Sequence, residues 1–132
     1  MGDGATRHQS RERALSLLYE AEMKGESAAD VVAALPVRPD PFAAALVAAT
    51  AAARPEADGL IAQASVGWPL GRMAVVDRLV LELAVAELLD PDGPPVPVVI
   101  DEAVELAKTY STEESGGFVN GVLSTIAAQV RA

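Results

Sequence analysis

The sequence predicts an all-α protein, and three observations carry that prediction. Its apolar half consists mainly of Ala, Val and Leu, with aromatics at only 4%, a composition that suits closely packed helices. Apolar residues recur at three- and four-residue spacing along most of the chain. No strand-like alternation survives inspection, and there is no internal repeat. At 132 residues the chain is one domain's worth of material, long enough to bury a core.

The elements follow in order. Residues 1–8 read as a flexible arm. "SRERALSLLYEAEMKG" (10–25) is a helix with Ala14, Leu17, Leu18 and Ala21 on one face and Gly25 as its stop. Ser27 and Asp30 resemble a capping box for a short helix ending near Leu35. "PVRPDP" (36–41) is a connection, after which Asp40 caps a helix with Pro41 at its first position and Phe42, Leu46 and Ala49 on its apolar stripe. Pro55 is expected to break or kink that run near Arg54, with a fourth helix following through Leu60, Ile61 and Ala64 to about Gly67. "GWPLGRM" (67–73) is a turn with one short helical element.

The run 75–89, "VVDRLVLELAVAELL", is apolar at eleven of fifteen positions, which marks the central, nearly enclosed helix. It is too short to span a membrane and carries Asp77, Arg78, Glu82 and Glu87. "DPDGPPVP" (90–97) is the clearest break. "VVIDEAVELAKTY" (98–110) is amphipathic, with Asp101, Glu102 and Glu105 toward water. A final helix is expected from about Gly117 to Val130.

Charge and composition narrow the function classes. There is no cysteine, so disulfides and thiolate metal sites are excluded. No secretory signal leads the chain, which makes the cytoplasm the expected compartment. The net charge of −9 argues against nucleic acid as a whole, but its distribution does not. Residues 1–13 hold Arg7, Arg11 and Arg13 against Asp3 and Glu12, a balance of +1; residues 75–132 hold three basic and ten acidic side chains, a balance of −7. The single histidine, His8, sits in the expected arm, a poor place for a general base. No carboxylate–histidine spacing suits a metal, and the glycine-rich "SGGFVNG" lacks the Gly-Lys-Ser/Thr of a P-loop. The residues point away from an enzyme, and no cofactor is expected.

Two segments suit binding. Arg7 and Arg11, four residues apart, share a face if the first helix reaches that far, and arginine's planar fork suits phosphate; a solvated basic helix end is the alternative. In "EESGGFVNGVLSTIA" (113–127), Ser115 can cap the last helix while Gly116 and Gly117 leave its first amides free for an anion. Phe118 in that first turn can stack on an unpaired base, or it can be a core residue. Asn120 and Gly121 allow close helix packing.

The segments "RERALSLLYEAE" (11–22), "VDRLVLELAVAELL" (76–89) and above all "VPVVIDEAVELAKTYSTEESGGFVNGVL" (96–123) resemble the NusB family of transcription antitermination factors. The likeness covers nearly the whole chain and is weakest over 26–66. It implies an all-helical fold of two small bundles, about seven helices in all, with an N-terminal bundle near 9–53 and a C-terminal bundle near 55–131. It implies binding of the single-stranded boxA element of ribosomal RNA leaders, together with the ribosomal protein NusE, in an antitermination complex on RNA polymerase. The RNA-binding residues implied are Arg7, His8 and Arg11 of the arm, and Glu114, Ser115, Gly116, Gly117, Phe118 and Asn120 of a turn placed beside that arm. The implied NusE face is Tyr19 with an acidic residue of the central helix, for which Glu82 is the candidate. Members occur both as monomers and as homodimers. Two features depart from the pattern: some relatives place a denser arginine run where this chain has "TRHQSRER", and larger residues can stand at Gly116 and Gly117. Two other classes share features with this chain: the same fold as the N-terminal, substrate-binding domain of an RNA cytosine methyltransferase family, which a chain ending at Ala132 without a cofactor-binding domain disfavours, and a protein-only helical adaptor, which the acid excess favours.

Overall fold

A computed structural model describes residues 6–131 as six α-helices and one 3-10 turn, with no strand among the described residues. They are α1 (Arg7–Lys24), α2 (Ala28–Ala33), α3 (Pro41–Ala64), the 3-10 turn Leu70–Arg72, α4 (Val75–Leu89), α5 (Val96–Tyr110) and α6 (Glu113–Val130). The first five residues of the expected arm lie outside the described residues. Its remainder is ordered differently from expectation: α1 begins at Arg7, because Thr6 accepts from the Gln9 amide and Gln9 reaches back to the Thr6 amide. Gly25, at φ +65°, closes α1 in the left-handed conformation that glycine adopts without strain.

Locally encoded caps form as the sequence predicts. The Ser27 hydroxyl accepts from the Asp30 amide, and Asp40 accepts from the Ala43 amide with Pro41 at the first helical position. That amide, with a hydrogen bond from Ser10, holds the Asp40 carboxyl below its usual range.

The expected break at Pro55 does not occur. α3 runs unbroken through Arg54 and Pro55 for 24 residues, merging two expected helices. Proline removes the hydrogen bond to the Ala51 carbonyl, but Pro55 and Ala51 are both exposed, so water can satisfy that group. On the opposite side Thr50, Ala57 and Ile61 are buried on both flanks of the proline and hold the two halves on one core.

α4 is the central helix, as expected, with every residue from Leu79 to Leu88 buried. α1 and α3 cover one side of it, and α5 and α6 the other. The 90–97 connection is fastened from the chain's far end. Arg131 donates to the carbonyls of Leu88 (2.8 Å), Glu87 (3.1 Å) and Pro94 (3.1 Å), satisfying the last turn of α4. Gly93 is needed there, since a Cβ would lie 2.5 Å from the Glu87 carbonyl oxygen. Among the described residues no helix is long and apolar enough to cross a membrane.

Candidate nucleic-acid interface

The helical start of α1 puts Arg7 and Arg11 on one face, over the same ring. Their guanidinium carbons stand 4.1 Å and 5.3 Å from the Phe42 centroid. Beyond that shared contact they differ. Arg7 is exposed. Arg11 is buried and donates bidentately to Glu87, Nε to Oε1 at 2.7 Å and Nη2 to Oε2 at 2.8 Å, with Glu102 at 3.5 Å. The Glu87 hydrogen bonds hold the Arg11 guanidinium above its ordinary pKa. A fork committed in this way has no face left for phosphate, which corrects the expectation for Arg11. His8 is held on the first turn of α1, with Nδ1 at 3.1 Å from Glu102 and Nε2 at 3.6 Å from Glu12. Among the described residues Arg7 is therefore the cation at this end of the helix that makes no ion pair.

The start of α6 also departs from expectation. The cap is Thr112, so the helix starts at Glu113, four residues ahead of the expected Gly117, and Ser115 is the third residue of a reciprocal capping box. Ser115 is buried and donates to Asp77 Oδ2 at 3.1 Å, tying α6 to the first turn of α4. Gly116 and Gly117 lie inside the helix and not ahead of it, and the first turn carries Glu113 and Glu114. Those carboxylates already complement the helix dipole, so the anion site expected here is not formed. Gly116 has a packing role: the Lys108 stem crosses it, and a Cβ would lie 2.9 Å from the lysine Cε.

Gly117 and Asn120 are exposed on α6, and Asn120 accepts from Ser124. Phe118 meets both descriptions the sequence allows. It packs against the core while its remaining surface lines an open groove of about 720 Å³, shared with Trp68, Arg72 and Glu114.

The arm and the Phe118 turn are not adjacent. Arg11 meets Glu87 near the end of α4, whereas Ser115 meets Asp77 near its start. Ten residues of helix separate these anchors, or about 15 Å. An RNA touching both must run along the molecule.

Tyr19 is 41% exposed and lines a cleft of about 450 Å³ with Leu15, Ser16, Val76, Glu12 and Tyr110, whose hydroxyl donates to Glu12 at 2.7 Å. Glu82, the acidic candidate for the same face, is fully enclosed. Its carboxylate lies 3.2 Å from both Arg54 and Arg78, and Arg78 in turn meets Glu22 at 2.9 Å. A side chain with no accessible surface cannot be a docking contact, which corrects that expectation. The partly exposed acid of the central helix is Asp77, next to Val76 of the Tyr19 cleft. Its signal in the sequence is its place in the first turn of α4, before the enclosed stretch begins. Among the described residues no cluster of three or more acidic or histidine side chains could hold a metal ion.

The comparisons with known proteins agree with this architecture. The chain is 34% identical to NusB of T. maritima, covering 95% of this chain and 92% of that one, with a TM-score of 0.84. It is 29% identical to NusB from Aquifex aeolicus over 96% and 93% of the two chains, with a TM-score of 0.78. A structure of antitermination factors NusB and NusE in complex with dsRNA matches at 30% identity over 93% and 96%, with a TM-score of 0.79. The NusB family profile matches residues 8–128, and the chain belongs to the NusB family.

Proposed function

We propose that this chain is a transcription antitermination factor that binds the boxA element of ribosomal RNA leader transcripts together with NusE, within a complex on RNA polymerase in the cytoplasm. The observation that carries the reading is the match, over 93% of the chain, to a factor solved with NusE and dsRNA. The proposed RNA surface is Arg7 at one end and the Phe118 groove at the other. Glu114, Gly117 and Asn120 flank the ring, while Arg11, Ser115 and Gly116 act by holding the two ends in place. The proposed NusE surface is the Tyr19 cleft, with Glu12 supplying the negative charge that suits a basic ribosomal protein.

The test is a titration of boxA-like single-stranded RNA with and without NusE. Tighter RNA binding in the presence of NusE is expected, and no RNA binding in either condition would refute the reading. Phe118→Ala is expected to lower RNA affinity by about 1–3 kcal/mol through lost stacking. A Phe118→Ala protein that melts at a much lower temperature, yet binds RNA as before, would make the ring purely structural. Tyr19→Ala is expected to weaken NusE binding by about 1–2 kcal/mol, as truncation of an interface aromatic does. The companion measurement is direct RNA binding without NusE, which should not change; equal losses in both would place the partner surface elsewhere.

A further inference from the structure

The groove beside Phe118 contains more than the turn that drew attention to it. Its opposite wall is the 65–73 connection, which carries Val66, Trp68 and Arg72. Trp68 is 52% exposed and Val66 90% exposed. With Phe118 they line one groove, and apolar side chains grouped in this way, unlike scattered ones, mark binding surfaces.

The connection is also built to stay in place. Buried Ser65 donates to the carbonyls of Ile61 at 2.7 Å and Trp68 at 3.1 Å, and the Trp68 amide donates back to Ser65 at 2.9 Å. Gly67, at φ +80°, makes the reversal that a side chain would strain. The 3-10 turn then fixes Arg72, whose guanidinium makes no ion pair among the described residues.

We infer that Trp68 and Arg72 form, with Phe118, a nucleotide subsite for single-stranded RNA: a base stacks on the aromatic faces and its phosphate meets the Arg72 guanidinium. The inference rests on the RNA reading above and extends it to a segment outside the turn and the arm. Two aromatic residues beside an uncommitted arginine are the components with which proteins hold unpaired nucleotides without reading their sequence. Continuity supports RNA as the occupant, because a strand that stacks on Phe118 already enters this groove. Asp77 and Glu114 also line it. Their charge opposes any phosphate at their side of the groove, so an anion alone gains little here and a base stacked on the rings is needed to hold the nucleotide, with its phosphate turned toward Arg72.

Trp68 is the only tryptophan in the chain, so its emission reports directly on this site. Titrating the full chain with short single-stranded RNA should quench that emission, while inorganic phosphate should leave it unchanged. In parallel, anisotropy of labelled RNA reads total binding. Trp68→Ala should weaken that binding about 5- to 150-fold, and Trp68→Phe should retain most of it, because stacking needs a π face. Arg72→Ala should weaken binding and flatten the salt dependence by about one unit of log slope.

If RNA binds by anisotropy with Trp68 emission unaltered, and both alanine variants bind like wild type, the subsite is refuted while the RNA reading stands. If NusE quenches Trp68 and RNA does not, the groove is a protein interface and the inference fails. Absence of any RNA binding refutes both.

Discussion

Arg11→Ala is expected to cost about 3–5 kcal/mol of folding stability, far more than the loss of a surface arginine. The cost arises from what is left behind. Glu87 is buried on α4, and both its oxygens are occupied by the Arg11 fork at 2.7 and 2.8 Å. Removing the guanidinium strands a carboxylate where water does not reach, and breaking a buried pair from one side costs about that amount. Arg11→Met combined with Glu87→Leu should recover much of the loss, because no charge is then left unpaired. Urea denaturation of the three proteins measures this. Arg7→Ala, by contrast, should scarcely move the midpoint, since Arg7 is exposed and only caps the Phe42 face. An Arg11→Ala protein as stable as wild type but weakened toward RNA would return Arg11 to the binding surface.

Arg11 also shows which features the sequence can disclose. Where the determinant is local, the reading and the structure agree: Ser27 with Asp30, Asp40 with Pro41, Gly25 as a stop, and the uninterrupted apolar run that buries α4. The start of α6 was ambiguous because "STEES" offers several hydroxyls that can cap. Thr112 wins because it and Ser115 satisfy each other, and Ser115 can then reach Asp77, 38 residues away in sequence.

Pro55 does not end the helix because the one hydrogen bond it removes is outweighed by a core that grips both flanks, which spacing along the chain does not disclose. The resemblance implies binding roles for Arg11 and Glu82, and such roles require exposure that neither side chain has. Their burial depends on partners across the fold, Glu87 for one, Arg54 and Arg78 for the other, and spacing along the chain contains no trace of such pairings. The location of the Phe118 groove depends likewise on Trp68 and Arg72 lining its other side, 46 or more residues away in sequence.

Glu82 should make the protein lose stability as pH rises from about 4.5 to about 7, the reverse of the usual behaviour of a paired carboxylate. Burial is the first cause of its raised pKa, and the hydrogen bond to Asp58 is the second; Arg54 and Arg78 oppose them, and the result is a carboxyl pushed up to about 7. The acceptor oxygens fit a proton held between acids, since Glu82 Oε1 and Asp58 Oδ1 are both buried without a donor that hydrogen-bonds to them. Below its ordinary pKa of 4.5 the group is protonated in both the folded and the unfolded chain, and folding costs nothing on its account. Between that value and about 7 the unfolded chain releases the proton while the folded one keeps it, so stability falls. Above about 7 both states are ionised and the penalty is constant, on the order of 3 kcal/mol from a shift of that size at 1.36 kcal/mol per unit. Other carboxylates titrate in the same range, so the informative quantity is a difference. Glu82→Gln keeps the shape and can still donate to Asp58, but it cannot ionise. Its stability relative to wild type should climb across the window from 4.5 to 7 and then level off, favouring the variant at pH 8. Chemical denaturation of both proteins across this range measures the difference directly. A flat difference, or one that favours wild type more strongly at higher pH, would mean that Arg54 and Arg78 hold Glu82 ionised in the fold.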